Sequence, residues 1–387
     1  MTGTRALRIW SKVHTWTSLI SMLFMLMLCL TGLPLIFHEE IEELTQQQFA
    51  APNLPGNVPA APVDDVVRAA QQARPGDHVL FVTWRDEQPD TVVVSMSPTP
   101  KPMRGKFYRL VMDGRTKAVL GEERPQQGVM DIILLLHKNM LLELPGELFL
   151  GAMGLLLVVS IVSGVVVYAP FMRRLDFGTV RQRSRRLKWL DLHNLFGIVT
   201  TVWLFVVGIT GAINTLAMPM YDYWRGQVLP PLLAPYRGAP VAQPSSLDQA
   251  VARVRAALPE GRLSSITMPT AENFGSPRHL VVWMKGNSAL TALIATPTLV
   301  DVDQTVPVLV PQMPWYLTLL QMSRPLHFGD YGGLPLKIVW GLLDLVCIVV
   351  LITGLYLWVA KQRFGGHARS RTATQPAEVQ STDARPA

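Results

Sequence analysis

Charged residues and cysteines are both scarce in this chain. Only 16% of its 387 residues are charged while 49% are hydrophobic, whereas soluble domains carry about 25% charged residues. This deficit excludes an ordinary soluble domain and indicates a membrane protein. The two cysteines, Cys29 and Cys347, lie inside apolar runs and form no CxxC pair. They support no disulfide framework and are expected to be buried thiols.

Several enzyme motifs are missing as well. The sequence has no GxGxxG, Walker or HExxH motif and no Ser-His-Asp arrangement, so a soluble nucleotide-dependent or hydrolytic mechanism lacks support. The CxxCH motif that attaches haem covalently is also absent. Any haem bound here is therefore expected to be non-covalent and of the b type.

Long apolar runs are what the chain has instead. Four of them reach the roughly 20 residues that a helix needs to cross a bilayer, namely 16–37, 147–171, 195–218 and 336–360. The first run exceeds the apolar core of a signal peptide, and its pattern returns at 187–218. We therefore interpret it as a retained transmembrane helix.

The basic residues predict the orientation. The segment 1–14, the link between the second and third runs, and the tail together hold 15 Lys and Arg against four Asp and Glu. Positively charged loops stay in the cytoplasm, so both termini are expected to be cytoplasmic in a bacterial inner membrane. The net charge of +7 then reflects topology and contact with anionic lipid rather than nucleic-acid binding.

Two patterns occur twice. A Trp four residues before a His, followed by Thr-Gly with the glycine 18 residues after that His, is found around His14 and around His193. After His137 and after His327, Pro follows at 8 residues and Gly at 14 and 27. Such self-similarity predicts two tandem repeats of two helices each. Parallel repeats predict a pseudo-twofold axis along the membrane normal.

Two long extramembrane segments each predict a small α+β module. In both, an amphipathic helical pattern runs to a turn signal and alternating runs follow. The helical patterns lie at 63–70 and 247–254, and the alternating runs at 79–84, 91–96, 107–112, 117–120, 263–268 and 279–284. Proline-rich linkers, including Pro230 and Pro231, precede the modules.

The predicted fold is therefore an integral membrane α-helical protein with four transmembrane helices and two extracytoplasmic modules. Its segments are a cytoplasmic start with the first helix, 1–37; the first module, 38–136; an outer interfacial segment with the second helix, 137–171; a basic cytoplasmic loop, 172–194; the third helix, 195–218; the second module, 219–326; an interfacial segment with the fourth helix, 327–364; and a disordered cytoplasmic tail, 365–387.

The four repeated histidines predict two bis-histidine sites. His14 and His193 precede apolar runs at the cytoplasmic boundary, and His137 and His327 precede runs on the outer side. His14 would lie about 30 Å from His137 across the hydrocarbon core, so the feasible pairs are His14 with His193 and His137 with His327. Two histidines alone do not complete a tetrahedral zinc site. Facing imidazoles in an apolar bundle suit haem iron.

Glycines and basic residues near the four histidines are candidates for supporting roles in haem binding. Nearby glycines let the haem ring approach the helix backbones or only tighten helix contacts; these are Gly32, Gly151, Gly164, Gly211, Gly341 and Gly354. Basic residues that could neutralise haem propionates are Arg8, Lys12, Arg186, Lys188 and Arg324. His38 aligns with Ala217 in the repeat, which weakens it as a ligand. His78, His279 and His367 are expected at the surface.

These residues resemble the PepSY-associated transmembrane family. Its members share the basic-Trp-x₃-His start, the Thr-Gly at the far end of that helix, and extracytoplasmic PepSY modules in a duplicated arrangement. The resemblance covers about residues 5–364. Four helices with two modules and no fused flavodoxin or reductase domain are most similar to the FoxB-like siderophore-iron reductases of the family.

The resemblance implies a cofactor and an activity. It implies two non-covalent b haems whose axial ligands fall on His14, His193, His137 and His327. It further implies a reductase that passes electrons from an unidentified donor across the membrane to Fe(III) held by a siderophore, releasing Fe(II) on the outer side.

Two other functions stay open. A non-catalytic PepSY protein would act as a sensor or bind a peptide or protein partner. A transporter of haem or metal is disfavoured, because the chain has four predicted spans and Asp344 as their single interior carboxylate.

Overall fold

The structure is a computed structural model. It describes residues 2–44, 49–55, 57–100, 107–123, 128–172, 176–236, 240, 242–269, 276–288, 290–303 and 306–372, with the backbone alone at 2–4, 43 and 364–372. Its helices are α1 Thr2–Ile36, α2 His38–Leu44, α3 Val63–Ala73, α4 Val129–Asn139, α5 Glu143–Met172, α6 Arg185–Asn214, α7 Ala217–Leu233, α8 Leu247–Ala257, α9 Trp315–Phe328 and α10 Gly333–Thr372. Its strands are β1 His78–Trp84, β2 Thr91–Ser97, β3 Tyr108–Asp113, β4 Val119–Glu123, β5 Arg262–Thr267, β6 His279–Lys285 and β7 Ala295–Asp301.

The four predicted long apolar helices are confirmed as candidate membrane spans. Within the described residues, four helices are long and apolar enough to cross a bilayer, over Arg5–Ile36, Glu143–Met172, Arg185–Asn214 and Asp330–Arg363. Each begins several residues before the apolar run that predicted it, because the helix continues into its polar end. His14 and His193 therefore lie within helices, on α1 and α6.

The extramembrane strands form one sheet rather than the two that the sequence suggested. The sheet is antiparallel with the order β4-β3-β2-β1-β5-β6-β7. Strand β1 of the first predicted module pairs with β5 of the second, through Phe81 opposite Thr267 and Thr83 opposite Ser265. Each module would otherwise expose an edge strand with unpaired N–H and C=O groups, so the pairing removes two edges at once.

Helices cover both faces of this sheet. The helices α3 and α8 bury Val66, Ala70, Ala250 and Val254 in one core with alternate strand residues such as Val282. Side chains alternate between faces along a strand, and the next residue, Val281, packs on the opposite side against Leu229 and Leu233 of α7.

The N-termini of α3 and α8 cap each other. The Asp248 carboxylate accepts hydrogen bonds from the backbone N–H groups of Val63, at 2.8 Å, and Asp64, at 3.0 Å. In return, the Asp64 carboxylate accepts from the Leu247 N–H at 2.7 Å and the Ser246 hydroxyl at 2.6 Å. Burial opposes ionisation of Asp64, but these hydrogen bonds outweigh it and hold the pKa of Asp64 below its ordinary value.

Two segments differ from their predictions. Pro230 and Pro231, assigned to a linker, lie in the last turn of α7, where burial of Leu229 and Leu233 against the sheet outweighs the poor helix propensity of proline. The predicted disordered tail begins helical, because α10 extends to Thr372. Residues 373–387 lie outside the described residues.

The described chain divides into two compact units. One contains residues of 1–29, 155–205 and 342–387, and the other contains residues of 30–154 and 206–341. His14 and His193 belong to the first unit, and His137 and His327 belong to the second. Each pair therefore lies within a single unit.

Candidate functional site

His14 and His193 face one cavity. The cavity has a volume of about 360 Å³ and is lined by α1, α5, α6 and α10, within the usual range for a small-molecule site. Apolar side chains such as Leu157, Leu204 and Leu351 form much of its wall. The predicted inner pair is thus brought to a common space large enough to hold a ligand.

Both imidazoles of this pair are fixed through Nδ1. The His14 Nδ1 lies 2.9 Å from the Ser160 carbonyl oxygen. The His193 Nδ1 lies 3.1 Å from the Val350 carbonyl oxygen and 3.0 Å from the Thr353 hydroxyl. A carbonyl only accepts hydrogen bonds, so Nδ1 carries the proton and Nε2 keeps its lone pair. Metal-ligating histidines have this arrangement.

His137 and His327 meet directly. His137 lies on α4 and His327 on α9, and their ring centroids are 6.3 Å apart with the planes at 60°. With metal–nitrogen bonds of about 2 Å on either side of one iron, two axial imidazoles have ring centroids about 6 Å apart. The spacing of this pair therefore fits a shared iron.

The imidazoles of His137 and His327 are also hydrogen-bonded through Nδ1. The His327 Nδ1 lies 3.1 Å from the Val207 carbonyl oxygen, and the His137 Nδ1 lies 2.9 Å from the Thr31 hydroxyl. Burial lowers the pKa of His327 to about 4. The imidazole is consequently neutral at physiological pH, as a metal ligand must be.

Each of the four histidines contacts a Ser or Thr that is followed by Gly, and we call this pair of residues its hydroxyl–glycine seat. If each glycine were replaced by alanine, the new Cβ would lie close to the Cε1 atom of the neighbouring histidine. The distances are 2.9 Å for Gly164 and His14, 3.3 Å for Gly354 and His193, 3.1 Å for Gly32 and His137, and 3.0 Å for Gly211 and His327. The preceding residues are Ser163, Thr353, Thr31 and Thr210, whose hydroxyls lie 2.9–3.5 Å from the Nδ1 atoms. These four glycines thus make room for the imidazoles. That they also let a haem ring approach the helix backbones stays a prediction.

The two other glycines serve helix contacts. An alanine Cβ at Gly151 would lie 2.3 Å from the Thr215 hydroxyl, and one at Gly341 would lie 3.0 Å from the Phe37 ring. They match the second interpretation made from the sequence, in which the glycines tighten helix packing.

The remaining histidines differ from one another. His279 was expected at the surface, and this prediction is wrong. Its side chain is buried, with Nδ1 2.6 Å from the Ser276 hydroxyl and the Tyr236 ring 4.5 Å away. His78 and His38 are exposed, and the side chain of His367 lies outside the described residues. The alternating pattern of β6 placed residue 279 in a strand but did not reveal which face it occupies.

Residues 11–361 match the family model described as the PepSY-associated TM region, and the match includes all four histidines. The chain belongs to the PepSY-associated transmembrane family. It is also 24% identical over 266 residues to an uncharacterized protein of Pseudomonas aeruginosa, which covers 62% of this chain and 66% of that protein. The chain therefore spans just under two thirds of that relative.

Basic residues line the cavity that His14 and His193 share in this PepSY-associated protein. Of the five basic residues considered from the sequence, Arg186 lines the cavity, and Arg181 and Lys361 join it there. Arg181 also holds the start of α6, because its Nη2 and Nε atoms lie 2.7 Å and 2.9 Å from the Asp191 carboxylate. This bidentate pair fixes the helix two residues before His193.

Proposed function

We propose that this protein is a di-haem b-type reductase of the bacterial inner membrane. In this proposal it passes electrons across the membrane to Fe(III) held by a siderophore and releases Fe(II) in the periplasm. The main support is that four histidines form two pairs in which every Nδ1 is hydrogen-bonded. For His14, His193 and His327 the partner is a carbonyl oxygen, so Nδ1 carries the proton and Nε2 keeps its lone pair. The donor set fits haem, because a macrocycle supplies the remaining four ligands that two histidines lack.

Repeated contacts support a tandem duplication with pseudo-twofold symmetry. The carbonyls that accept from His14 and His193 belong to Ser160 and Val350, each 23 residues after the other histidine of its repeat, His137 or His327. We infer that each repeat consists of two membrane helices and a PepSY-like module.

The residues of the chain would hold the cofactors in defined ways. Bound haem would supply one-electron redox chemistry at a bis-histidine iron. The Nε2 atoms would ligate, and the Ser160 and Val350 carbonyls would orient the inner imidazoles. The apolar wall of the cavity that His14 and His193 share would exclude water, while Arg186 and Lys361 would neutralise the propionate carboxylates of the haem. The four histidines would hold the haem iron, so the substrate iron would stay on its chelator without a ligand from these residues.

Iron chemistry explains why reduction releases the metal. Fe(III) is a hard cation that oxygen-rich chelators hold far more tightly than Fe(II), so one electron weakens the complex without breaking the chelator. The outer pair, His137 and His327, is assigned to the substrate side because the basic segments predict cytoplasmic termini.

Haem stoichiometry tests the cofactor part. Purified protein should show b-type bands in reduced-minus-oxidised spectra and contain two haems. Each single His→Ala change at the four positions should remove about one haem, since an axial ligand is lost. A double change within one pair should remove little more than either single change. The control is His78→Ala, because His78 is exposed. Loss of both haems, or of neither, in His14→Ala with His193→Ala would contradict the pairing.

Stopped-flow mixing tests the activity. Chemically reduced protein should be reoxidised by a subset of ferric siderophores, with Fe(II) trapped by a strong ferrous chelator. Loss of the outer haem should slow this much more than His78→Ala. Reoxidation at one rate by every oxidant, without trapped Fe(II), would indicate a general haem redox protein instead.

One observation favours a second candidate, a non-catalytic sensor or partner-binding protein. A cavity of about 550 Å³ lies beside α3 and α8, with Trp84, Leu263, Arg115 and Arg255 in its wall. The wall also contains Asp90 and Asp248, and a space with this mixture of apolar and charged groups could take a peptide segment. Absence of haem from the purified protein would move the assignment to this candidate.

A further inference from the structure

The only two cysteines of the chain meet inside the helix bundle. Cys29 on α1 and Cys347 on α10 have their Sγ atoms 3.7 Å apart, and both side chains are buried. The repeat does not explain this pair, because the equivalent positions hold Gly208 and Leu157. Two isolated cysteines from opposite ends of the sequence thus lie in direct contact without being part of the histidine pattern.

A buried carboxyl group accompanies the thiols. Asp344 lies one helical turn before Cys347, and its carboxyl group is close enough to the Cys29 thiol for the two groups to interact. Its side chain is buried, and its Oδ2 atom has no hydrogen-bond partner among the described residues. An uncompensated polar atom costs free energy in an apolar interior. Its equivalent in the repeat is Gly154, so duplication does not account for it either.

We propose that Cys29 and Cys347 form a redox-active dithiol that is reversibly oxidised to a disulfide, with Asp344 as the local proton acceptor. Thiol oxidation needs a thiolate, and an apolar surrounding disfavours one. The Oδ2 atom of Asp344 supplies the missing base. The two sulfurs would have to approach from 3.7 Å to about 2.05 Å, a change within reach of side-chain rotation.

The reaction needs a two-electron oxidant, and the bilayer can supply a lipid-soluble quinone. The two S–H bonds break and one S–S bond forms. Two electrons and two protons pass to the quinone, which becomes the quinol, with one proton carried through the Asp344 carboxylate. Atoms and charge therefore balance without any contribution from haem.

The disulfide would tie the first and last membrane helices together. Cys347 also lines the cavity that His14 and His193 share, so its oxidation would change the wall of that cavity. The proposal does not depend on haem binding, because it rests on the thiol pair and the carboxyl group alone.

A split-chain assay tests it in the full protein. A specific protease site inserted between Gly178 and Thr179 separates the chain into two halves, each with one cysteine. After treatment of the protein in lipid nanodiscs with a short-chain ubiquinone analogue, the halves should remain joined on non-reducing electrophoresis. The intact mass should fall by two hydrogen atoms, and both thiols should become resistant to alkylation. Reductant should reverse all three results.

Variants separate the two parts of the proposal. Cys29→Ser and Cys347→Ser should each abolish the link. Asp344→Asn keeps both thiols and should slow oxidation about 100-fold, since general bases contribute about 10²–10⁴ in rate. Halves that separate although quinone is consumed, or disulfides only between different chains, would overturn the dithiol. Oxidation of Asp344→Asn at the unaltered rate would overturn the assignment of the carboxyl group.

Discussion

At the scale of single residues, the positions of the four histidines depend on neighbouring glycines, which have no side chain. His14 approaches α5 closely enough to bond the Ser160 carbonyl at 2.9 Å only because residue 164 has no side chain. The ring is then held on two sides, by a hydrogen bond at Nδ1 and by backbone at Cε1. If His14 ligates haem iron as proposed, these contacts would orient its imidazole in advance, as such partners do for other metal-ligating histidines.

Gly164→Ala tests this seat. The new Cβ would lie 2.9 Å from His14 Cε1, so the imidazole must move and its bond to Ser160 must weaken. We expect inner-site haem affinity to fall about tenfold or more, as when other orienting partners of metal ligands are lost. Titration of the apoprotein with haem measures this. Gly226→Ala on α7 is the matched control, because its Cβ would meet nothing within 4 Å. Equal affinities in the two variants would contradict the role of the glycine.

At the scale of elements, the sequence predicted what local patterns determine. The four long helices follow from apolar length, and α3, α8 and six of the strands follow from helical or alternating periodicity. Strand β7, with Pro297 inside it, and helix α9, with Pro325 inside it, break those patterns and were missed. Packing against the rest of the unit, not local propensity, forms these two elements.

The site was predictable to the same extent. Internal register identified the four histidines and their pairing, and the pairing remains a prediction that haem binding must test. The hydroxyl–glycine seats were not predictable, because each joins residues 106 to 160 positions apart, as between Thr31 and His137 or Thr353 and His193. Nor did any local signal indicate that β1 pairs with β5, since edge pairing is decided by tertiary structure.

Asp64→Ala tests the reciprocal caps that accompany this pairing. The change leaves the N–H of Leu247 and the hydroxyl of Ser246 without their acceptor. Loss of an N-cap costs about 1 kcal/mol. Amide hydrogen exchange of the full protein should be faster over residues 246–257 by the corresponding factor. Asp65→Ala is the control, because its partner Arg68 is largely exposed and such pairs contribute little. Equal exchange in both variants would argue against the cap.

The caps should also depend on pH. Hydrogen bonds hold the pKa of Asp64 below its ordinary value of 3.8, so the folded state favours the charged carboxylate. The contribution should be complete above 3.8 and should be lost as the pH falls through the lowered folded-state pKa. Exchange over 246–257 should accelerate in that acidic window in the unaltered protein. In Asp64→Asn this acceleration should be reduced, and an unchanged profile would assign the effect to another group.

At the scale of the whole molecule, the distribution of charged residues predicts how the chain is oriented in the membrane. Segments predicted to be cytoplasmic hold 15 of the 35 Lys and Arg but only four of the 28 Asp and Glu. The Arg181–Asp191 pair lies in the basic loop region, and Lys337 is neutralised by Glu39 and Glu40 in the other unit. The rest of the chain has no excess of positive charge. This difference in Lys and Arg content between the two sides is the asymmetry that orients membrane helices.

Reporter fusions test this orientation. A reporter placed after Arg185 and another after Ala387 should both be active as cytoplasmic proteins, because the positively charged flanks of α6 and α10 resist translocation. A reporter inserted at 86–89, in the turn between β1 and β2, should instead be periplasmic, since one crossing by α1 separates it from the N-terminus. The proposed reduction of a periplasmic ferric siderophore requires this arrangement, because the substrate and the pair His137 and His327 must lie on the same side of the membrane. A periplasmic signal at residue 185 would invert the order of the spans and would place His137 and His327 on the cytoplasmic side of the membrane, away from the proposed substrate.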